Sequence, residues 1–312
     1  MSRFVFWERS MPSANVVLVR GEANVLIDTG FGSDVDELEG WLMSQGVPPS
    51  RLDLVVNTHH HSDHVGANAH LQHAYDVRIA AHRWEADLVN RRAPEAWSAR
   101  WLDQPVEPYD VNVRLEGGED VHGLRVVHTP GHSLGHVSLH DPAERVLILG
   151  DTVHHRDVAW INPFLEGAGG VDRMIGSVER LASLSAVVAF TGHGPPLTNL
   201  DDAFRAALGK LESWIRDPER MWWHGAKRTF AYALMLRGGL SEGELQAYLL
   251  ARAWVRDYAE SAFRVTREEF AALLVAEMLR SGAARWHDGR LRATTPCKTP
   301  PPAWLEAVFA RA

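Results

Sequence analysis

The 312-residue sequence predicts an α+β chain. A sandwich of packed sheets with helices outside it is expected over residues 1–200, followed by a mainly helical domain over 201–312. Three observations carry this reading. Short β-branched runs alternate with amphipathic stretches through the first 200 residues, as in sheets covered by helices. After Gly194-Pro195-Pro196 the apolar positions recur at helical spacing instead. The charge changes at the same place: residues 201–312 hold 17 Lys/Arg and 14 Asp/Glu, a net of +3, and residues 1–200 hold 15 and 26, a net of −11. Of the 17 histidines, 15 precede residue 201.

Taken in order, residues 14–20 and 23–28 read as strands separated by the turn-like Gly21-Glu22. Residues 34–45 place Val35, Leu38, Trp41 and Leu42 on one helical face. The run 52–57 reads as a buried strand entering a polar loop, and 78–81, 124–128, 136–140 and 145–149 are further strands. A helix over 172–184 and a short strand over 186–190 complete the first region. Beyond it, a helix from about residue 200 carries Leu208, Leu211, Trp214 and Ile215 on one face, and helices follow at 227–237, 241–256 and 267–281. Asp288-Gly289, flanked by apolar residues, signals a hairpin, so the C-terminal domain is expected to be winged-helix-like. A Pro-rich connector then leads to a short terminal helix.

Composition removes several classes of function. With 46% hydrophobic and 23% charged residues the chain is too apolar to be disordered. The net charge of −8 argues against binding a polyanion over the whole surface. The single cysteine, Cys297, excludes an intramolecular disulfide framework and a Cys-rich zinc site. There is no apolar leader segment and no apolar run near ~18 residues, so a cytoplasmic protein with no membrane partner is expected.

The strongest chemical signal is Thr58-His59-His60-His61-Ser62-Asp63-His64, directly after an apolar run. In extended chain, residues two apart share a side, so His59 and His61 can converge on one ion. Asp63 and His64 then turn toward a neighbouring site as a helix begins. Imidazole and carboxylate are ligands suited to zinc and related ions. Three more segments follow the same plan: Gly131-His132, Gly150-Asp151 and Gly192-His193-Gly194 each place a potential ligand just past a strand, in a glycine-containing turn.

In that order the four-part pattern resembles the metallo-β-lactamase superfamily, in its broad hydrolase branch, over roughly residues 12–200. The resemblance implies an αββα sandwich with two divalent metal ions at one edge. It implies that His59, His61 and His132 hold one ion, that Asp63, His64 and His193 hold the other, and that Asp151 bridges them. Zinc is the expected metal, with Mn²⁺ and Fe as alternatives for such a donor set. Asp28 matches a further motif of the family and reads as a loop-ordering residue beside the ligands.

Other polar residues have plainer readings. His60 should point away from the site and be hydrogen-bonded, and His136 reads as a structural histidine beside His132. His154 and His155 are candidates for substrate contact or for solvated loop positions. His70 and His73 read as ordinary helix residues, and Asp53 as a turn residue. The loops 91–110 and 152–170 carry Trp97, Trp101, Tyr109, Trp160, Ile161 and Phe164, which either line an apolar pocket or pack as core. The run Met221-Trp222-Trp223-His224 is expected to pack against the first region.

The reaction expected of two such ions is attack by a metal-bound hydroxide, because metal binding lowers the pKa of water toward ~7. Asp63 is the catalytic residue in this reading: it orients the nucleophile and relays a proton. Its expected partner is a small acyl substrate, a thioester or a related ester or lactone. Two alternatives come from other classes. An endoribonuclease would use the +3 C-terminal region, with Lys227, Arg228, Arg285, Arg290 and Arg292, although the −11 first region disfavours nucleic acid. A non-catalytic metal-binding sensor has no need of seven intact ligands. The apolar content of 241–256 is sufficient for a homodimer contact.

Overall fold

The computed structural model describes residues 3–99, 101–167 and 169–310. Its first sheet has six strands in chain order: β1 (Phe4–Trp7), β2 (Val16–Val19), β3 (Val25–Ile27), β4 (Leu54–Val56), β5 (Ile79–His82) and β6 (Val113–Leu115). β1 to β3 pair antiparallel, whereas β3 to β6 run parallel. Parallel strands buried on both faces read as unbroken apolar runs, as in the Val-rich β4, and the antiparallel β2 is buried along its length as well. The second sheet takes the order β13-β10-β9-β8-β7, from β7 (Asp120–Val121), β8 (Leu124–His128), β9 (Val137–Asp141), β10 (Val146–Gly150) and β13 (Val188–Thr191). A small hairpin, β11 (Val153–His154) with β12 (Asp157–Val158), stands apart.

Side-chain alternation sorts the core into layers. Val17, Val19, Ile27 and Val56 meet Val126, Leu139 and Ile148 between the sheets. The opposite face of the first sheet, with Val16, Leu18, Leu26 and Val55, is covered by α1 (Val35–Ser44), α3 (Asn68–Tyr75) and α4 (Arg83–Asn90). The opposite face of the second, with Leu147 and Leu149, is covered by α5 (Gly170–Ala182) and α6 (Leu200–Arg216). The result is helix, sheet, sheet, helix. Between β4 and α3 lies one short turn of helix, α2 (Ser62–Val65).

The packing carries the core of the first region past residue 200. Ala203, Phe204, Ala207, Leu211 and Trp214 of α6 share a cluster with Met174 and Val178 of α5. Ile215, expected on that face, is instead 54% exposed, because it lies one helical step beyond the buried stripe that ends at Trp214.

The remaining chain runs α7 (Pro218–Leu236), β14 (Leu240–Ser241), α8 (Glu242–Leu250), α9 (Ala253–Asp257), α10 (Arg267–Arg280), β15 (Ala284–His287), β16 (Arg290–Ala293) and α11 (Pro302–Phe309). Helix, strand, helices and hairpin, with β14 and β15 flanking β16, is the winged-helix order. α7 begins nine residues before the expected start at 227, since Pro218 at the first helical position lacks only an N–H that would be unpaired there. The single helix expected over 241–256 is two. Arg252 is extended (φ −91°, ψ 133°), and its guanidinium reaches Asp103 at 2.9 Å. Leu245, Leu249, Trp254 and Val255, the apolar surface invoked for a homodimer, are buried within the chain's own cluster.

The tail returns to the first region. Cys297 pairs with Met11 through a β-bridge, Lys298 reaches Asp34 at 3.0 Å, and Trp304 lies against Phe31. Among the described residues no helix is long and apolar enough to cross a membrane.

Candidate metal centre

All seven residues singled out in the sequence gather at one edge of the sandwich, at the C-terminal ends of β4, β10 and β13 and in the loop between β8 and β9. Three groups have ligand atoms lying within 4.8 Å of one another: His59, His61 and His132; His59, His64 and Asp151; Asp63, His64 and His193.

The first group is made of imidazoles that face one another without a proton arrangement that suits them as hydrogen-bond partners. His59 Nε2, His61 Nδ1 and His132 Nε2 are 2.9 to 3.2 Å apart. Their far nitrogens each meet an oxygen: Thr58 Oγ1 at 3.1 Å, Ser98 Oγ at 3.2 Å and the Trp160 carbonyl at 2.7 Å. The carbonyl can only accept, so His132 carries its proton on Nδ1 and turns a lone pair inward. Thr58 Oγ1 donates to Asp28 at 2.7 Å and is thereby free to accept from His59 Nδ1–H. The Ser98 hydroxyl can likewise accept from His61 Nε2–H. Lone pairs turned inward and N–H groups turned outward are what a cation requires of its ligands. Burial, then the neighbouring imidazoles, holds His59 and His61 far below the usual histidine range, hence neutral.

The second group mixes charge. His193 Nε2 lies 3.2 Å from Asp63 Oδ2, and His64 Nε2 lies 3.8 Å from the same oxygen. His64 donates from Nδ1 to Asp28 Oδ2 at 2.8 Å, which leaves its Nε2 buried and unpartnered. Between the groups stands Asp151. One oxygen is 3.5 Å from His64 Nε2; the other is 3.8 Å from His132 Nε2 and 3.7 Å from His193 Nε2. Burial works against charge on Asp151, but His193, His64 and His154 outweigh it and hold its carboxyl well below the usual range. For His64, burial is likewise outweighed by Asp28, Asp151 and Asp63, which raise it. The orphaned Asp151 Oδ1 and His64 Nε2 are buried polar atoms that a cation would satisfy. The donor set therefore fits divalent metal ions.

Local sequence explains the placement. Gly192 is required by close approach, since a Cβ there would fall 2.1 Å from Asp151 Oδ1. Gly150 adopts φ 53°, and a Cβ would meet both Thr58 and His136. His136 acts as a spacer: it bonds Thr129 Oγ1 at 2.8 Å and accepts from the Asp151 N–H at 3.0 Å. Asp28, in the left-handed region at φ 57°, receives both the N–H and the hydroxyl of Thr58 as well as His64. His60 turns away and accepts from Trp97 N–H at 3.3 Å. His70 pairs with Glu39, and Asp53 accepts from the Asn24 N–H at a turn.

A cavity of ≈ 640 Å³ opens on the group, lined by His61, Asp63, His132, Asp151 and His193 among others. Its far wall comes from α7, through Lys227, Ala231, Tyr232 and Met235. Of the loop aromatics, Trp160 lines the cavity and stacks over His61. Trp97, Tyr109 and Ile161 are core, while Trp101 and Phe164 pack into the C-terminal cluster. His154 and His155 both line the cavity. The run 221–224 divides: Met221 packs on the first region's cluster and Trp222 and Trp223 on the C-terminal one, while His224 reaches the cavity. Nothing in the sequence pattern marked Ser98 or Tyr232. Their roles, behind His61 and against Ser62 Oγ at 2.7 Å, arise from chain that is distant in sequence.

Residues 11–193 match the model of the metallo-beta-lactamase superfamily. The chain belongs to that superfamily. It is 33% identical over 218 residues to the bovine acyl-coenzyme A thioesterase MBLAC2 (Bos taurus), covering 58% of this chain and 73% of that one. It is 32% identical to a hydroxyacylglutathione hydrolase of Mesorhizobium japonicum, over 47% of this chain and 50% of the relative. The chain thus spans about half the length of that second relative. Among solved structures, a metallo-beta-lactamase family protein of Thermus thermophilus aligns with a TM-score of 0.61 at 23% identity, over 94% of this chain and 99% of the other, which shows the fold. TTHA1623, solved in a di-iron-bound form, aligns with a TM-score of 0.54 at 29% identity, over 65% of this chain and 98% of its own. The protein is a hydrolase of the metallo-β-lactamase fold, and that fold implies divalent metal ions.

Proposed function

We propose that the protein is a dinuclear zinc thioesterase acting on small acyl thioesters. His59, His61 and His132 would hold one ion and Asp63, His64 and His193 the other, with Asp151 shared. The observation that carries this reading is the carboxylate of Asp151, with one oxygen toward His64 and the other toward both His132 and His193. When bound, the ions supply acidity to water and polarise a carbonyl oxygen.

The chain's own groups do the rest. Asp63, on the cavity wall, orients the attacking water and takes its proton. Leu102, Trp160, Ala231 and Met235 form an apolar wall for the acyl chain and keep bulk water from it. The similarity to the bovine thioesterase and to the hydroxyacylglutathione hydrolase supports a thioester over a lactone.

The test is thiol release from acyl-coenzyme A and acyl-glutathione substrates by zinc-loaded protein, with Asp63→Asn as control. Turnover that falls by ~10²-fold or more in the variant is expected of a lost proton acceptor. Release no faster than the variant's would sink the reading.

A further inference from the structure

Beside the metal cavity lies a second one of ≈ 440 Å³, and the two share His224 and Lys227 on their linings. Its walls come from α6, α7 and α10. Four cationic side chains line it, Lys210, Arg220, Lys227 and Arg280, against the single carboxylate Glu277. That excess stands out on a chain whose net charge is −8.

Neutralisation within the cavity is incomplete. Glu277 serves two cations at once, Lys227 at 3.0 Å and Arg280 at 2.7 Å. Asp157, from the first region, serves Lys210 and Arg228 and approaches His224 at 3.4 Å. Arg220 meets Asp217 at 3.2 Å, in a pair that stays exposed to solvent. His224 sits at the junction of the two cavities with its Nδ1 buried and unpartnered. Two tryptophans, Trp214 and Trp223, complete the lining. Trp214 is buried against His224, so the partly exposed ring of Trp223 is the aromatic surface left for a base. Guanidinium groups that can fork onto phosphate oxygens, beside such a ring, are the elements of a nucleotide subsite.

We propose that this second cavity binds the phosphorylated adenosine end of a coenzyme A thioester, whose acyl end reaches the metal cavity past His224 and Lys227. The assignment rests on the thioesterase reading above and decides between its two thiol carriers. Glutathione brings two carboxylates, an ammonium that the four cations would repel, and no aromatic ring for Trp223. The adenosine bisphosphate of coenzyme A brings several negative charges and a purine.

The test begins with calorimetric titration of the free adenosine bisphosphate moiety, which contains no thioester and so reports on the subsite alone. Wild-type protein is expected to bind it, and Arg220→Glu combined with Arg280→Glu to weaken binding at least ~10-fold, since charge-assisted phosphate contacts are lost and reversed. Both side chains are largely exposed, so the fold should tolerate the change. Glu277→Gln should tighten binding by freeing Lys227 and Arg280. In turnover, the double variant should raise KM for an acyl-coenzyme A while leaving an acyl-pantetheine unchanged. Thioester turnover without bisphosphate binding would overturn this assignment alone. An absence of turnover on any thioester would sink the thioesterase reading and the carrier assignment with it. Tighter binding of a short oligoadenylate than of the mononucleotide, weakened by the same variants, would give the cavity to RNA and overturn the proposal.

Discussion

In the group of His59, His61 and His132 the facing nitrogens lie 2.9 to 3.2 Å apart, and each ring is tied on its far side to an oxygen. In the group of Asp63, His64 and His193, Asp63 Oδ2 lies 3.2 Å from His193 and 3.8 Å from His64, and His193 keeps 22% of its side chain exposed. The first arrangement is held by the protein through bonds to Thr58, Ser98 and a backbone carbonyl. In the second only His64 is anchored in that way, to Asp28 at 2.8 Å, and the rest depends on like and unlike charges around Asp151, which an ion would draw together. Preorganised donors lose little freedom on binding, so the all-histidine group is expected to fill first and more tightly.

The largest effect should come from His132→Ala. Removing one of three preset imidazoles is expected to lower kcat/KM by ~10³-fold or more and to deplete bound metal, read by metal analysis beside steady-state kinetics. Retention of a tenth of the activity would break the comparison. His193→Ala should do less: a fall of ~10²-fold, with metal content dropping from two ions to one and the affinity of the first unchanged. A titration in which both ions weaken together would show that the two groups are a single unit.

The smallest expected effect lies behind the first group. Glu85, on α4, hydrogen-bonds Ser133 next to His132, and burial pushes its carboxyl up to about 8. A raised folded-state pKa means stability that is full below the unfolded value of 4.5 and is lost as pH rises through about 8. Glu85→Gln removes that loss. Its Tm should therefore exceed wild type by a few degrees near pH ~9 and match it near pH ~4. Equal pH dependence in the two proteins would mean that the carboxylate finds a partner when ionised.

Much of the fold and the site was legible in the sequence because the ligands follow apolar strands whose periodicity is strong. Leu54–Val56 and Val146–Gly150 are buried along their length and deliver His59 and Asp151 directly. β1 was not legible: Phe4–Trp7 pairs at the sheet edge, with three of its four residues only partly buried, and so shows no clear alternation. Nor was α4, whose His82 N-cap gives none of the usual capping signals. The break at Arg252 was hidden for another reason. Helical spacing continues through it, and the extended residue there is paired with Asp103, 149 residues away. Ser98 and Tyr232 were invisible on the same ground, since a residue that supports a ligand through tertiary contact carries no local pattern.

α7 contributes one stripe of side chains to the cavity and, in this reading, no ligand to the metals. Part of the proposed substrate wall is therefore written in a stretch of chain that holds none of the candidate ligands, with the hydrogen bond between Tyr232 and Ser62 as a direct tether between the two. Inheritance can act on one without disturbing the other. On the proposed reading, changes at Lys227, Ala231 or Met235 would redraw the list of accepted substrates while the candidate ligands stayed intact, so descendants of this chain could diverge in diet long before they diverged in chemistry.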